Sequence, residues 1–205
     1  MRIGLYGGRF DPIHYGHLIA AQSILEQLRL DRVIFVPCGK PPHKPGQSLS
    51  NGRHRVEMIR LAIQDDSRFD IDEFELNQKG PSYTFATVSE FRKRLGDSDE
   101  LFWLIGADSL SQLPTWYRIG ELVRIVQIVT AARPGWQPPP LEHLAPTIGT
   151  VESQSLLRHV LQTPHIEISS TEIRQRAASN LPIRYFLPAA VDRYIREFKL
   201  YQGNT

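Results

Sequence analysis

Ile3-Gly4-Leu5-Tyr6-Gly7-Gly8-Arg9-Phe10-Asp11-Pro12-Ile13-His14-Tyr15-Gly16-His17 is the stretch whose reading decides the fold. The apolar run Ile3–Tyr6 breaks at a double glycine and passes through a turn stiffened by Pro12. It then enters a segment where Leu18, Ala21, Leu25 and Leu28 recur at helical spacing up to Arg29. This is a strand, a turn and a helix. His14 and His17 fall in the first helical turn or just before it, and at that spacing they project from one side. The N–H groups of such a turn lack intrahelical partners and together act as about half a positive charge, so an anion is the natural occupant. Gly7 and Gly8 allow a phosphate close to the main chain, and Gly16 keeps the space beside the histidines clear. Taken singly, each feature has a plainer reading. A double glycine is an ordinary turn. A histidine pair suits a metal, but neither an HExxH run nor a cysteine cluster supplies further ligands, so no protein metal site is expected.

The rest of the composition sets bounds. With 205 residues, 41% hydrophobic and 22% charged, the chain can bury one good core and is not of disordered type. A single domain over 1–205 is expected, with a helical C-terminal part from about 169. The formal net charge of +2 makes no electrostatic case for nucleic acid or membrane as a partner, so a phosphate ligand has to be held by local groups. One cysteine, Cys38, forms no internal disulfide, the opening residues lack a signal-peptide pattern, and no run approaches the roughly 18 apolar residues of a membrane helix. A cytoplasmic location is expected. Monomer and homo-oligomer both stay open.

Further along, Val33–Val36 and Leu101–Ile105 are continuous apolar runs, as in strands buried on both faces, and Ile125–Ala131 is read as another. Cys38–Asn51, rich in Pro, Gly and Ser, is read as a long loop. A helix follows with Val56, Ile59 and Ile63 inward and Arg53, Arg55 and Arg60 on a solvated face. Phe69–Leu76 alternates and is read as a strand, with Asp70, Asp72 and Glu73 on an exposed edge. Ser82 is the expected N-cap of a helix carrying Phe85, Val88, Phe91 and Leu95. Gly106-Ala107-Asp108 places another glycine turn at a strand end; Asp108 either caps a short helix or accepts ribose hydroxyls. Trp116 and Tyr117 are either core or the wall of a pocket. Leu141–Gln162 is weakly patterned and takes no role. His165–Ile168 is read as a last short strand, leading to a helix whose cap Ser169 and Glu172 have capping-box spacing. Ser170, Thr171 and Arg174 then lie near a second helix N-terminus, which implies a second phosphate site. Val191, Tyr194, Ile195 and Phe198 are packing positions of the closing helix.

Strands alternating with helices argue for an α/β fold, a Rossmann-like doubly wound parallel sheet with helices on both faces. Ligands then gather at the carboxyl ends of the strands. Neither GxGxxG nor GxxxxGK[ST] occurs.

Taken whole, Gly7–His17 resembles the signature of the nucleotidylyl transferase superfamily, whose hallmark is His-x-Gly-His. Arg9 departs from it, standing where a small hydroxyl residue is expected. Further stretches are similar to the bacterial nicotinate-nucleotide adenylyltransferases: Pro41-Pro42-His43-Lys44, Pro81–Thr84, Leu104–Asp108, Trp116-Tyr117, Ile168–Arg174 and Tyr185–Tyr201. The resemblance implies transfer of the adenylyl group of ATP to nicotinate mononucleotide, giving deamido-NAD and pyrophosphate, with Mg²⁺. It implies that Gly7, Gly8, Phe10, His14, His17 and Asp108 bind ATP, with His14, His17 and Lys44 catalytic. Ser170, Thr171 and Arg174 would hold the departing phosphates. His43, Lys44, Tyr83, Thr84, Trp116 and Tyr117 would take the mononucleotide. The alternatives are another acceptor on the same fold, the amide mononucleotide or phosphopantetheine, and a nucleotide-sensing module without catalysis.

Overall fold

The structure, a computed structural model, describes residues 1–41, 49–96 and 98–202. In chain order its elements are β1 (Arg2–Gly8), α1 (Tyr15–Gln27), β2 (Arg32–Pro37), α2 (Gly52–Ile63), β3 (Phe69–Ile71), α3 (Phe74–Asn77), α4 (Thr84–Arg94), β4 (Glu100–Gly106) and α5 (Ala107–Leu110). After a 3₁₀ turn at Leu113–Thr115 come α6 (Ile119–Ile125), β5 (Gln127–Ala132), α7 (Leu141–Ile148), α8 (Thr150–Arg158), β6 (Val160–Gln162), α9 (Ser170–Ala178) and α10 (Ala189–Glu197). The described strands form one six-stranded sheet in the order β3-β2-β1-β4-β5-β6, every pairing parallel.

Alternation along the buried strands builds two cores. Val33, Phe35, Phe102 and Leu104 face α1, α2, α9 and α10, whereas Ile3, Leu5, Ile34, Val36, Leu101, Trp103 and Ile105 face α4, α6, α7 and α8. Helices therefore cover both faces, as expected. The strand order reverses between β1 and β4, so their carboxyl ends open a crevice at the position where such sheets hold ligands.

Several expectations are corrected. The strand over Phe69–Leu76 stops at Ile71, because the Asp72 carboxylate accepts the Phe74 N–H at 2.8 Å and turns the chain into α3. Asp72 also pairs with Arg94 at 2.8 Å. The last strand is Val160–Gln162, not His165–Ile168; it pairs with Thr130–Ala132 and leaves 165–168 irregular. The unassigned stretch 141–162 holds α7, α8 and β6; Pro146 within α7 and the positive-φ Gly149 behind it break up the helical pattern. Ile125 closes α6, and β5 begins at Gln127. Tyr83, not Ser82, is the N-cap of α4. Arg55 is not on a solvated face: it is 2% exposed, and its guanidinium donates to the carbonyls of Ser50 (3.1 Å) and Arg9 (3.0 Å).

The C-terminal helices pack back onto the opening motif. The Tyr15 N–H donates to Phe186 O at 3.1 Å, and the Tyr201 hydroxyl donates to Asp11 Oδ1 at 2.6 Å.

Candidate active site

Two clefts flank the carboxyl end of β1. Tyr6 lines one, its neighbours Gly7 and Gly8 line the other, and both clefts share Gly106 at the end of β4.

The larger cleft, about 1540 Å³, carries the histidine pair. His14 is the N-cap of α1, in extended backbone, and His17 is the third residue of the helix. Their rings stack at 3.7 Å, 26° from parallel, and the His14 N–H donates to His17 Nδ1 at 3.3 Å. That bond makes Nδ1 an acceptor, so the proton of neutral His17 sits on Nε2. Burial pushes His14 down to about 4. Burial, then the neighbouring His14, holds His17 well below the usual imidazole range. Two neutral rings stand ready to donate hydrogen bonds, and each gains a proton more readily once an anion arrives. His14 is 6% exposed, and its Nδ1 is buried without a hydrogen-bond partner among the described residues. Such an orphan costs free energy unless a ligand satisfies it. In the first turn of α1, Phe186 O takes the Tyr15 N–H, and among the described residues no backbone carbonyl takes that of Gly16, which lines the cleft.

Asp108 is exposed on the same cleft, inside the first turn of α5. Gly106, not Asp108, is the residue that caps that turn. Ser169 caps α9 as expected, accepting the Glu172 N–H at 3.1 Å, and both Ser169 and Ser170 line the cleft. The Ser170 hydroxyl donates to Pro12 O at 2.9 Å and Arg174 to Asp11 O at 2.7 Å, which clamps α9 to the opening motif. Thr171 is exposed and accepts from Arg174 at 3.3 Å. In this structure, then, Arg174 holds the motif's backbone.

The smaller cleft, about 740 Å³, is lined by Gly7, Gly8, Tyr83, Thr84, Trp116 and Tyr117 together with Trp103 and Glu75. The Tyr83 and Tyr117 rings pack at a tilt, 4.6 Å between centroids and 32° from parallel. Thr84 opens α4, and among the described residues no backbone carbonyl takes its N–H. An anion is favoured at that helix end. All four residues expected to take the mononucleotide from this part of the chain thus meet in one cleft.

Packing gives the two glycines a reason of its own. Gly7 and Gly8 belong to β1 and do not take positive φ. A Cβ on Gly7 would lie 2.3 Å from the Trp103 ring, and one on Gly8 2.7 Å from the Phe10 ring. Aromatic rings packed beneath the turn forbid a side chain there. Phe10 itself, at φ 46°, is buried in the core with its ring 5.1 Å from that of His17, so its ring supports the histidine from behind. His43 and Lys44 lie outside the described residues.

Sequence reasoning missed Trp103, Glu75, Arg133, Trp136 and His165, which also line the clefts. Trp103 was legible as a strand residue, but its facing Gly7 follows from the β1–β4 register, in which Leu5 pairs with Trp103.

Residues 5–176 match the family described as cytidylyltransferase-like. The chain is 40% identical over 202 residues to the nicotinate-nucleotide adenylyltransferase of Bacillus subtilis (strain 168), covering 98% of this chain and 99% of that relative. Its fold is similar to that of Plasmodium falciparum nicotinic acid mononucleotide adenylyltransferase complexed with NaAD, with a TM-score of 0.73 at 20% identity, covering 99% of this chain and 98% of that one. The same enzyme complexed with APC gives a TM-score of 0.72 at 19% identity, over 99% of this chain and 98% of that one.

Proposed function

This chain belongs to the nicotinate-nucleotide adenylyltransferase family, and from that premise we propose that it transfers the adenylyl group of ATP to nicotinate mononucleotide. One observation carries the reading: two clefts of different character meet at Gly106 beside the end of β1. The larger, with its neutral histidine pair, suits the triphosphate, with Asp108 on its lining assigned to the ribose hydroxyls. The smaller, with aromatic rings and the start of α4, suits a pyridine ring bearing a carboxylate.

The 5′-phosphate of the mononucleotide is already anionic at neutral pH and needs no general base. One of its oxygens bonds to the α-phosphorus, the bond from that phosphorus to the β-bridging oxygen breaks, and pyrophosphate leaves. His17 Nε2–H donates to the α-phosphate oxygens as charge builds on them, and His14 adds its stacked ring beside it. The remaining contribution is positioning. Ser170, Thr171 and Arg174 at the start of α9 are assigned to the departing phosphates, Ser170 through its main-chain N–H because its hydroxyl hydrogen is on Pro12 O, and His43 and Lys44 are assigned to the reacting ones. Asp108 is the carboxylate among the described residues of the larger cleft. With that one carboxylate, Mg²⁺ would be held mainly by the phosphates themselves and would supply neutralisation of their charge. We take residues 1–205 as one catalytic unit, supported by the packing of α9 and α10 on the motif. Among the described residues no helix is long and apolar enough to cross a membrane, and with its single cysteine the chain is assigned to the cytoplasm.

The test is pyrophosphate release from ATP and Mg²⁺ with nicotinate mononucleotide, nicotinamide mononucleotide or phosphopantetheine. Turnover highest with the first is expected. Turnover highest with another acceptor reassigns the substrate, and no turnover with any favours the sensing module.

A further inference from the structure

The smaller cleft has two walls that no sheet ladder joins: the chain leaving β2 at Cys38–Pro41, and the start of α4 at Tyr83–Thr84. Ser82 stitches them together. Its N–H donates to Lys40 O at 2.9 Å, and its hydroxyl oxygen accepts from the N–H of Gly39 (2.9 Å) and of Lys40 (3.1 Å). With both lone pairs of that oxygen engaged, its hydrogen needs an acceptor. The Glu75 carboxyl, on α3 and 5% exposed, lines the same corner of the cleft, where that hydroxyl favours its ionised form. Glu75 also accepts the Thr87 hydroxyl, from one turn inside α4, at 2.7 Å. Its own backbone carbonyl leaves no room beside Gly39, where a Cβ would lie 2.3 Å from it. One side chain thus sits at the corner of three segments and on the wall of the cleft.

We propose that Glu75 is a positioning residue for mononucleotide selection: through Ser82 and Thr87 it sets the spacing of the two walls and the aim of the α4 N-terminus between them. This rests on the reading that the smaller cleft takes the mononucleotide. A carboxyl suits the corner because it can accept from two hydroxyls at once. Glutamine can replace it only by turning its oxygen to Ser82, whose lone pairs are filled, and its NH₂ to Thr87. Thr87 then redirects its own hydrogen to Tyr83 O, which stands at 3.5 Å. The link survives in weakened form. Alanine cuts it.

The test is calorimetric titration of the full chain with nicotinate mononucleotide alone, alongside steady-state kinetics and melting curves. Ser82→Ala and Glu75→Ala are expected to weaken mononucleotide binding about tenfold, the usual scale for losing a buried hydrogen-bond link. KM for ATP stays within about twofold of wild type by the same reasoning, because the larger cleft does not use this corner. The ratio of acid to amide kcat/KM falls, and Glu75→Gln recovers most of the loss. Ser82 is only half-buried, so its variant decides the matter if Glu75→Ala does not fold. A folded Ser82→Ala that binds the mononucleotide like wild type overturns the proposal, and so does a parallel loss for ATP and mononucleotide. A wild type that binds no mononucleotide overturns the functional reading and this one with it.

Discussion

The imidazole of His17 is locked by the backbone of His14: the His14 N–H donates to His17 Nδ1 at 3.3 Å while the two rings stack at 3.7 Å. The bond settles which nitrogen of His17 carries the proton, and the stack fixes the direction in which it points. His17→Ala is therefore expected to lower kcat by roughly 10²-fold, the scale for one preorganised donor to developing charge, with a smaller effect on KM for ATP. Pyrophosphate release at saturating substrates measures it. Near wild-type turnover would remove His17 from the mechanism.

The same pair makes stability depend on pH. In the folded, ligand-free protein His14 titrates near 4, whereas in the unfolded chain it returns to about 6.5. Between those values the unfolded state binds the extra proton, so stability rises with pH across the window. It is fully present above about 6.5 and declines as pH falls towards about 4, by on the order of 2–3 kcal/mol for His14 alone. His17 adds in the same direction. Urea midpoints at pH 7.5 and 5 should show the decline in wild type and a flatter response in His14→Gln. Parallel curves would contradict the assignment.

Substrate choice rests on the pyridine ring, since the acid and amide mononucleotides share their reacting phosphate. The start of α4 offers main-chain N–H donors, which a carboxylate accepts at both oxygens and an amide at only one. An unsatisfied buried donor costs about 1–3 kcal/mol, so a preference for the acid of roughly tenfold to several hundredfold in kcat/KM is expected. Trp116→Ala should weaken both mononucleotides together, because it removes stacking surface. An amide preference in a side-by-side measurement would reassign the acceptor.

Arg55 holds the motif from below through main-chain carbonyls, including that of Arg9. Replacing it with Met strands two acceptors and should cost about 2–4 kcal/mol in denaturant unfolding. Arg9→Thr keeps the carbonyl that Arg55 uses, so this change should leave folding and turnover close to wild type. Lost turnover in that variant would mean that the Arg9 side chain takes part in the reaction.

Arg29 ends α1 in left-handed backbone at φ 50°, with the Leu30 N–H on Leu25 O at 2.8 Å and the Arg29 N–H on Glu26 O at 3.2 Å. Glycine suits that position better, and Arg29→Gly should stabilise the chain by about 1 kcal/mol. A rise in Tm of about 2–4 °C is the expected reading, and a fall would show that the Arg29 side chain makes up the difference.

Local rules reach as far as local causes do. The strand, turn and helix of residues 3–17, the buried apolar runs, the Ser169 cap and the position of the histidines in a first helical turn all follow from short-range sterics, capping and periodicity, and all are legible in the chain. What the sequence leaves open is decided by partners far away in it. Val160–Gln162 is a strand because β5 offers it a ladder, although His165–Ile168 has the more strand-like composition. Arg55 is buried because two carbonyls, of Ser50 and Arg9, converge on it and no local pattern marks them. Gly7 is glycine because parallel register sets Trp103 against β1. Glu75 stands in the cleft wall with its carboxylate on the Thr87 hydroxyl, a partner in another helix. The sequence by itself determined which chemistry the chain carries. Only the tertiary structure decided which side of β1 each group serves, because that depends on pairings and packings between segments that no stretch of the chain encodes alone.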